Sequence, residues 1–420
     1  MVGFAGAFAT ASTFARGVLM ARILGPQQFG MAIIILSVAA ALEMFADAGI
    51  DRYVVQSRFG NRQDVMQTSH AFRVGGSTLI GLVIVALSGP LAHVFRASEL
   101  WLPIALTGGI VIIRGLEDLS YKLQQRQHRF EQETIIEVVR WSADLAVTAA
   151  VALLTHSFWA VVAGCYANAI AQLIMTHALA KGRYSFWPRA RLIALVGRFS
   201  LPIYINAFIL FTAGQGDRMV VAGMFTKRDV ALYAAACAIG QGISGLAGRI
   251  TMSTFLPMMS KTAANLEGRR RTINYLGALT IAGSIVFLLG MALLGPLVVP
   301  LIYGPEYRGL QALIFASAIV QMIQLEQGWL TTLLMANGLT TRFPLITIMR
   351  AAAFPAAILF VSAGVNILAI PLAFALGATL SLVVSYHAAS KLRLIDKRMM
   401  IASFTRIIIV IGVVVFRAML

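Results

Sequence analysis

Apolar residues in this chain come in long runs rather than in alternation. Such runs lie near 3–24, 29–50, 72–95, 100–121, 133–154, 158–179, 200–224, 230–256, 274–301, 310–335, 343–364 and 366–388, with a thirteenth at 401–417. A helix needs about 20 apolar residues to cross a hydrocarbon core of about 30 Å, whereas a barrel strand shows only about 10 in alternation. The run lengths therefore predict an all-α polytopic membrane protein with 12 to 13 transmembrane helices. The first run has neither a basic leader nor a small-residue cleavage site, so it reads as a retained helix preceded at most by a short cytoplasmic tail. If the thirteenth run crosses, the last residue faces outward and a partner helix beyond Leu420 is expected.

Composition agrees, because 59% hydrophobic residues, 12% charged residues and a mean hydropathy of +0.82 leave no room for a sizeable soluble domain. A net charge of +17 would suit a polyanionic partner, but its distribution points to topology instead. Every second connection is basic. The second holds Arg52, Arg58 and Arg62; the fourth Lys122, Arg126 and Arg129; the sixth Lys181, Arg183, Arg189 and Arg191; the eighth Lys261, Arg269, Arg270 and Arg271; the twelfth Lys391, Arg393, Lys397 and Arg398. Odd connections are nearly bare, apart from Arg96, Lys227, Arg228 and Arg308. The positive-inside rule then places the even connections and the N-terminus in the cytoplasm, and a nucleic acid partner is excluded.

The polar inventory also bears on chemistry. Cys165 and Cys237 both fall inside runs, where a thiol acts as a small hydrophobe, so no disulfide or metal framework is expected. The histidines, His70, His93, His128, His156, His177 and His387, are scattered over run ends and connections. With outward connections of only a few residues and no grouped acid, base or nucleophile, transport is favoured over catalysis.

The chain divides at "KGRYSFWPRARLIALVGRFSLP", the most basic connection, with six runs on each side. This predicts an N-terminal six-helix lobe over 1–184, a cytoplasmic linker over 185–199, a C-terminal six-helix lobe over 200–390, and a basic segment with a thirteenth helix over 391–420. A faint internal echo sets "ARGVLMARILGPQQFGMA" against "GDRMVVAGMFTKRDVALYA", as in transporters built from duplicated halves. "GQGISGLAGR" spaces small residues for close helix packing. Pro202, Pro257, Pro344 and Pro355 sit where helices would bend.

In order along the chain, "ARILGPQQFG", "FADAGIDRYVVQSR", "LQQRQHRFEQETIIEVVRWSADLAV", "FSLPIYINAFILFTAGQGDRMVVAGMF" with "VALYAAACAI", "FLPMMSK" and "LIYGPEYRG" resemble the polysaccharide-exporter branch of the MOP flippase superfamily. The resemblance implies two six-helix lobes around a central cavity in the bacterial cytoplasmic membrane. It further implies translocation of undecaprenyl-diphosphate-linked oligosaccharide, the repeat unit of O-antigen, capsule or exopolysaccharide, with other polysaccharide-assembly proteins as potential partners. A multidrug exporter of the same superfamily is the alternative, and it would be expected to favour acidic cavity residues.

Charged residues at bilayer depth cost roughly 2.5 to 3.5 kcal/mol or more, so they normally face a wet cavity or a partner. Arg16, Arg114, Arg140 and Asp144 lie within runs of the first half, and Asp217, Arg218, Arg249, Glu326 and Arg350 within runs of the second. These nine are the cavity candidates. Arginine predominates, and its planar fork of donors suits a diphosphate. Asp217 and Arg218 are sequence neighbours that point about 100° apart on a helix, so each needs its own partner. Asp217 reads either as a proton or sodium site that couples transport, with no other cofactor expected, or as a strut paired with Arg16 or Arg22. Glu43, Asp47, Asp51 and Arg52 at the end of the second run are taken as structural, Glu117, Asp118 and Lys122 as interfacial, and "QQRQHRFEQE" as a solvated hairpin.

Overall fold

The computed structural model describes residues 2–46, 49–180, 184–185, 187–261, 266–392 and 394–419. Of the charges considered above, Asp47, Lys181, Arg183 and Arg393 lie outside the described residues, as do the side chains of Lys261 and Lys397. The described elements are helical: α1 (Val2–Ala46), α2 (Ile50–Gln56), α3 (Gln63–Val94), α4 (Trp101–Gly115), α5 (Glu131–Thr155), α6 (Trp159–Ala178), α7 (Ala190–Met224), α8 (Lys227–Lys261), α9 (Leu266–Tyr303), α10 (Gln311–Ala336), α11 (Phe343–Ala351), α12 (Ala353–Ser362), α13 (Ala369–Ser390) and α14 (Lys397–Met419). Among the described residues, ten helices are long and apolar enough to cross a membrane.

Local chemistry explains where the helices break. Inside α1, Gly25 has φ 69° and ψ 168°, outside helical space, and Pro26 follows, so the first two apolar runs are two helices joined at a sharp kink. Only glycine takes that φ cheaply, and proline cannot return the missing hydrogen bond. In the eleventh run, Pro355 cannot donate to the carbonyl of Ala351, and the helix divides there into α11 and α12.

On the basic side several helices overrun their apolar runs. α3 begins at Gln63 rather than near 72, α7 at Ala190 rather than near 200, and α9 at Leu266 rather than near 274. Most of the expected linker over 185–199 is thus the first turns of α7. At about 1.5 Å per residue α7 is about 50 Å long, more than the hydrocarbon alone requires. The fourth run behaves in the opposite way: α4 stops at Gly115, and a tight 3-10 segment, Ser120–Gln127, leads into α5.

The chain forms two compact units, Met1–Phe211 with Ala222–Ala231, and Thr212–Val221 with Leu232–Leu420. In the first, α3 and α4 approach backbone to backbone: a Cβ on Gly81 would lie 2.7 Å from the Gly108 carbonyl, and one on Gly115 2.5 Å from Ser77 Cβ. At its basic end, Tyr53, Val65 and Val196 form a small core under Phe72, Leu192 and Phe199. In the second unit α10 is the central helix, packed by α9 and α13 and buried along most of its length. Of the glycines of "GQGISGLAGR", a Cβ on Gly240 would lie 3.6 Å from Gln321 of α10 and Phe287 of α9, whereas one on Gly242, Gly245 or Gly248 would meet nothing within 4 Å. Outer faces are apolar instead: Val286, Leu293, Leu297 and Leu301 on α9 are 68–72% exposed, a row suited to lipid and not to water.

Candidate functional site

The first unit gathers charged and amide side chains from four helices. On α5, Glu137, Arg140, Asp144 and Thr148 follow at intervals of three and four, which places them in one stripe. On α6, Gly164, Asn168 and Gln172 do the same. Gly164 leaves no space for a side chain, because a Cβ there would sit 2.7 Å from Asp144 Oδ1. Arg16 of α1 donates to Asp144 Oδ2 at 2.6 Å, and Thr148 donates to Asp144 Oδ1 at 3.1 Å. Arg114 of α4 pairs with Glu43 of α1 at 3.0 Å and donates to Asn168 Oδ1 at 2.9 Å. Arg140 donates to Glu137 at 2.8 Å, Gln172 at 3.2 Å and the same Asn168 oxygen at 3.3 Å. The Trp141 ring lies 5.0 Å from the Arg140 guanidinium and 5.8 Å from that of Arg16.

Exposure rises across this cluster. The side chain of Asp144 is 2% exposed, Arg16 9%, Arg140 13% and Arg114 14%, while Glu137 reaches 27% and Glu43 42%. A sealed Arg16–Asp144 pair therefore forms the base, and the Arg114 and Arg140 pairs form an accessible edge. All four N-terminal candidates are brought together. Each of the three arginines has its own carboxylate: Asp144 for Arg16, Glu43 for Arg114 and Glu137 for Arg140. Glu43, expected to be merely structural, is one of those partners; Glu137, Asn168 and Gln172 were missed. The spacing of Glu137 relative to Arg140 and Asp144 was the available signal.

A second ionic network occupies the basic end of this unit. Arg73 of α3 bridges Asp51 at 2.6 Å and Glu117 at 3.0 Å, and Lys122 bridges Asp51 at 3.5 Å and Glu133 at 2.9 Å. Glu117 and Asp118, just past the end of α4, are each 1% exposed, because the helix ends early and folds them inward. Burial raises the Glu117 carboxyl, with Arg73 and Arg114 pulling the other way. For Lys122 burial opposes the charge, but Tyr121, Asp51 and Glu133 outweigh it and hold the ammonium well above its ordinary range.

In the second unit Asp217 and Arg218 do find separate partners, both on α8. Tyr233 donates its hydroxyl to Asp217 Oδ2 at 2.9 Å, and Arg218 donates to Gln215 at 3.0 Å and to Gln241. The strut pairing of Asp217 with Arg16 is corrected, since Arg16 is taken by Asp144 and the hydrogen-bond partner of Asp217 is a tyrosine. Asp217 is buried, its Oδ1 has no hydrogen-bond partner, and no cation lies within 4 Å of its carboxylate among the described residues. Glu326 is fully enclosed: it accepts from Tyr386 at 2.9 Å, and from Ser403 and Arg406 of α14. Arg406 also donates to Ser284 Oγ and the Ile281 carbonyl on α9. Glu326 is therefore an anchor for α14 and not a cavity carboxylate. Arg249 is exposed, and Arg350, in the last turn of α11, has no ion-pair partner among the described residues. No group of three or more His, Cys, Asp or Glu side chains among the described residues is placed to hold a metal ion.

Comparison with known proteins accords with this architecture. The lipid II flippase MurJ, in an inward closed conformation, superposes with a TM-score of 0.75 at 13% identity, over 98% of this chain and 91% of that one. An inward-facing multidrug resistance MATE family transporter of the MOP superfamily gives 0.65 at 15% identity, over 92% and 94%. By sequence, the succinoglycan biosynthesis transport protein ExoT of Rhizobium meliloti (strain 1021) is 19% identical over 316 residues, 74% of this chain. The match spans 62% of the length of that relative. The family model described as polysaccharide biosynthesis protein matches residues 19–312. With the fold of the MOP transporters and a family match across most of its length, this multi-pass membrane protein belongs to the polysaccharide biosynthesis protein family.

Proposed function

We propose that the chain is a flippase, not an enzyme, that carries undecaprenyl-diphosphate-linked oligosaccharide across the bacterial cytoplasmic membrane by alternating access. The observation that carries this reading is the graded arginine cluster of the first unit: a sealed Arg16–Asp144 base and an accessible Arg114–Arg140 edge joined through Asn168. A diphosphate cannot enter hydrocarbon as a bare anion. Here it would take the place of Glu43 and Glu137 as the partner of Arg114 and Arg140, so that neither guanidinium is left unpaired. Such an exchange avoids the cost of about 3 to 5 kcal/mol that follows when one member of a buried pair loses its counter-charge. Two planar forks of donors match the oxygens of a diphosphate. Coupling to a proton or sodium gradient is assigned to Asp217, a buried carboxylate whose Oδ1 has no hydrogen-bond partner among the described residues.

The test is export in a host lacking its own copy. Arg114→Ala and Arg140→Ala should each lower surface polysaccharide about tenfold or more with protein abundance preserved, as expected for loss of a charge-assisted bond of about 1.5 to 3 kcal/mol. Restoration by Lys would show that charge suffices, and failure of Lys that the guanidinium fork matters. Arg16→Ala alone strands Asp144 and should reduce abundance, so Arg16→Ala/Asp144→Ala is the informative variant. Full export by all of these variants would sink the reading.

A further inference from the structure

The segment "QQRQHRFEQE" does not form a solvated hairpin. Its 3-10 turns pack on α2 and the first turn of α5, and together with the start of α3 and the end of α6 they line a cleft of about 840 Å³ in the first unit. Clefts of roughly 300–1,000 Å³ are the usual size for small-ligand sites. The lining has an unusual composition: six side-chain amides, from Asn61, Gln63, Gln67, Gln124, Gln127 and Gln132, the imidazole of His70 and, among the described residues, not one carboxylate. Arg126 and Arg129 supply two cations, with Arg126 held by Asn61 Oδ1 at 3.2 Å. Met66, Leu123 and Leu179 add apolar surface.

Three buried polar atoms in this lining have no hydrogen-bond partner among the described residues. Gln132 spends its Nε2 on the Leu179 carbonyl at 3.3 Å, which leaves Oε1 buried and unpaired, and Ser120 Oγ and His70 Nδ1 are likewise buried and unpaired. The nearby carboxylates are already engaged elsewhere, Asp64 with Arg62 and Arg189, and Glu133 with Lys122 and Gln125.

We infer that this cleft is a glycan subsite, which binds the sugar hydroxyls of the transported oligosaccharide before the lipid-linked molecule crosses. An amide both donates and accepts, as a hydroxyl does, so a wall of amides with apolar patches fits a carbohydrate ring. A phosphate only accepts and would leave the amide oxygens of the wall without a donor; a cationic ligand would call for carboxylates, and the described lining has none. The placement rests on the flippase reading for its order of events. The cleft lies at the basic ends of α3 and α5, and Gln132 stands eight residues before Arg140 on α5, about 12 Å of helix rise. A diphosphate at Arg140 would put the attached sugars within reach of the cleft.

The experiment uses full-length protein in lipid nanodiscs with two separate probes. One is the free repeat-unit oligosaccharide cut from the host's own surface polysaccharide, without lipid or phosphate; the other is inorganic pyrophosphate. Saturation-transfer NMR titration reads both. The side chains of Gln67 and Gln124 hold no hydrogen bond among the described residues, so Gln67→Ala/Gln124→Ala should leave the protein intact. Oligosaccharide Kd should then rise about tenfold, with pyrophosphate binding unchanged. Gln67→Trp, which fills the cleft, should act in the same direction. Arg114→Ala/Arg140→Ala should do the converse, losing pyrophosphate and keeping the sugar. If wild type fails to bind the oligosaccharide, or if both cleft variants bind it as wild type does, the inference is overturned. Sugar binding lost with the cleft variants while pyrophosphate binds nowhere would uphold the subsite and count against the arginine cluster alone.

Discussion

Asp217 and Arg218 show how much a single pair of residues can say. Helical geometry alone requires that neighbours part, and they do: Arg218 turns to two glutamines and Asp217 to the Tyr233 hydroxyl. The coupling role proposed for Asp217 has a distinct mutational pattern: Asp217→Glu should keep export and Asp217→Asn should abolish it at normal abundance. If Asp217→Asn exports normally, the residue has no coupling role. Glu117 lies in the buried ionic network at the basic end of the first unit. Burial holds its carboxyl above the ordinary 4.5, so its contribution to stability is full below that value and is lost as pH rises through the folded-state one. Glu117→Gln, neutral throughout, should flatten the pH dependence of the unfolding midpoint above about 4.5. An unchanged slope would mean that Arg73 keeps the carboxylate ionised. Of the site, the sequence made Arg16, Asp144, Arg114 and Arg140 visible because a charge in an apolar run stands out. Their partners were harder to see, since Glu43, Asn168 and Gln172 lie on other helices and hydropathy carries no information on how helices rotate against each other.

Helices were legible as elements and much less so at their ends. Every apolar run recurs as a helix, including the thirteenth as α14, because only hydrogen-bonded helices carry such runs through lipid. Hydropathy marks the slab of lipid, however, and not the helix, so α3, α7 and α9 continue past their runs into polar sequence, whereas α4 ends early. α10 illustrates the opposite limit. It carries Ser317, Gln321, Glu326 and Gln327 inside a buried helix, and each has a partner: Gln321 accepts from Ser244 at 2.6 Å and Gln327 from Ser381 at 2.9 Å. Glu326 with Arg406 ties α14 to α9 and α10, so this pair tests what holds the thirteenth helix in place. Arg406→Gln strands a fully buried carboxylate and should cost about 3 to 5 kcal/mol, read as a lower unfolding midpoint or lower abundance. Glu326→Gln/Arg406→Gln should recover a large part of that loss, the coupling expected of contacting groups. Additive losses would show that the two side chains act independently.

At the scale of the whole molecule, charge has two separate jobs. Inside the arginine cluster of the first unit it is balanced, three arginines against three carboxylates, which suits a site that exchanges partners rather than one that traps anions permanently. At the helix ends it is unbalanced, and the surplus behind the net +17 collects on alternate connections. The positive-inside rule turns this surplus into an orientation, and the helix count makes the orientation checkable, because each crossing reverses the side. The turn at Gly60 and the αL residue His128 are separated by α3 and α4, so reporters inserted there should share one side. Between His128 and the turn at His156 lies α5 alone, so that reporter should move to the opposite side; between His156 and Pro305 lie α6, α7, α8 and α9, which returns it to the same side as His156. Alkaline phosphatase inserted after His156 or Pro305 should therefore be active in the periplasm, and after Gly60 or His128 inactive. The converse pattern at all four sites would invert the protein, placing the amide-lined cleft outside and removing it as a loading site. Disagreement within either pair would mean that one of the intervening helices does not cross.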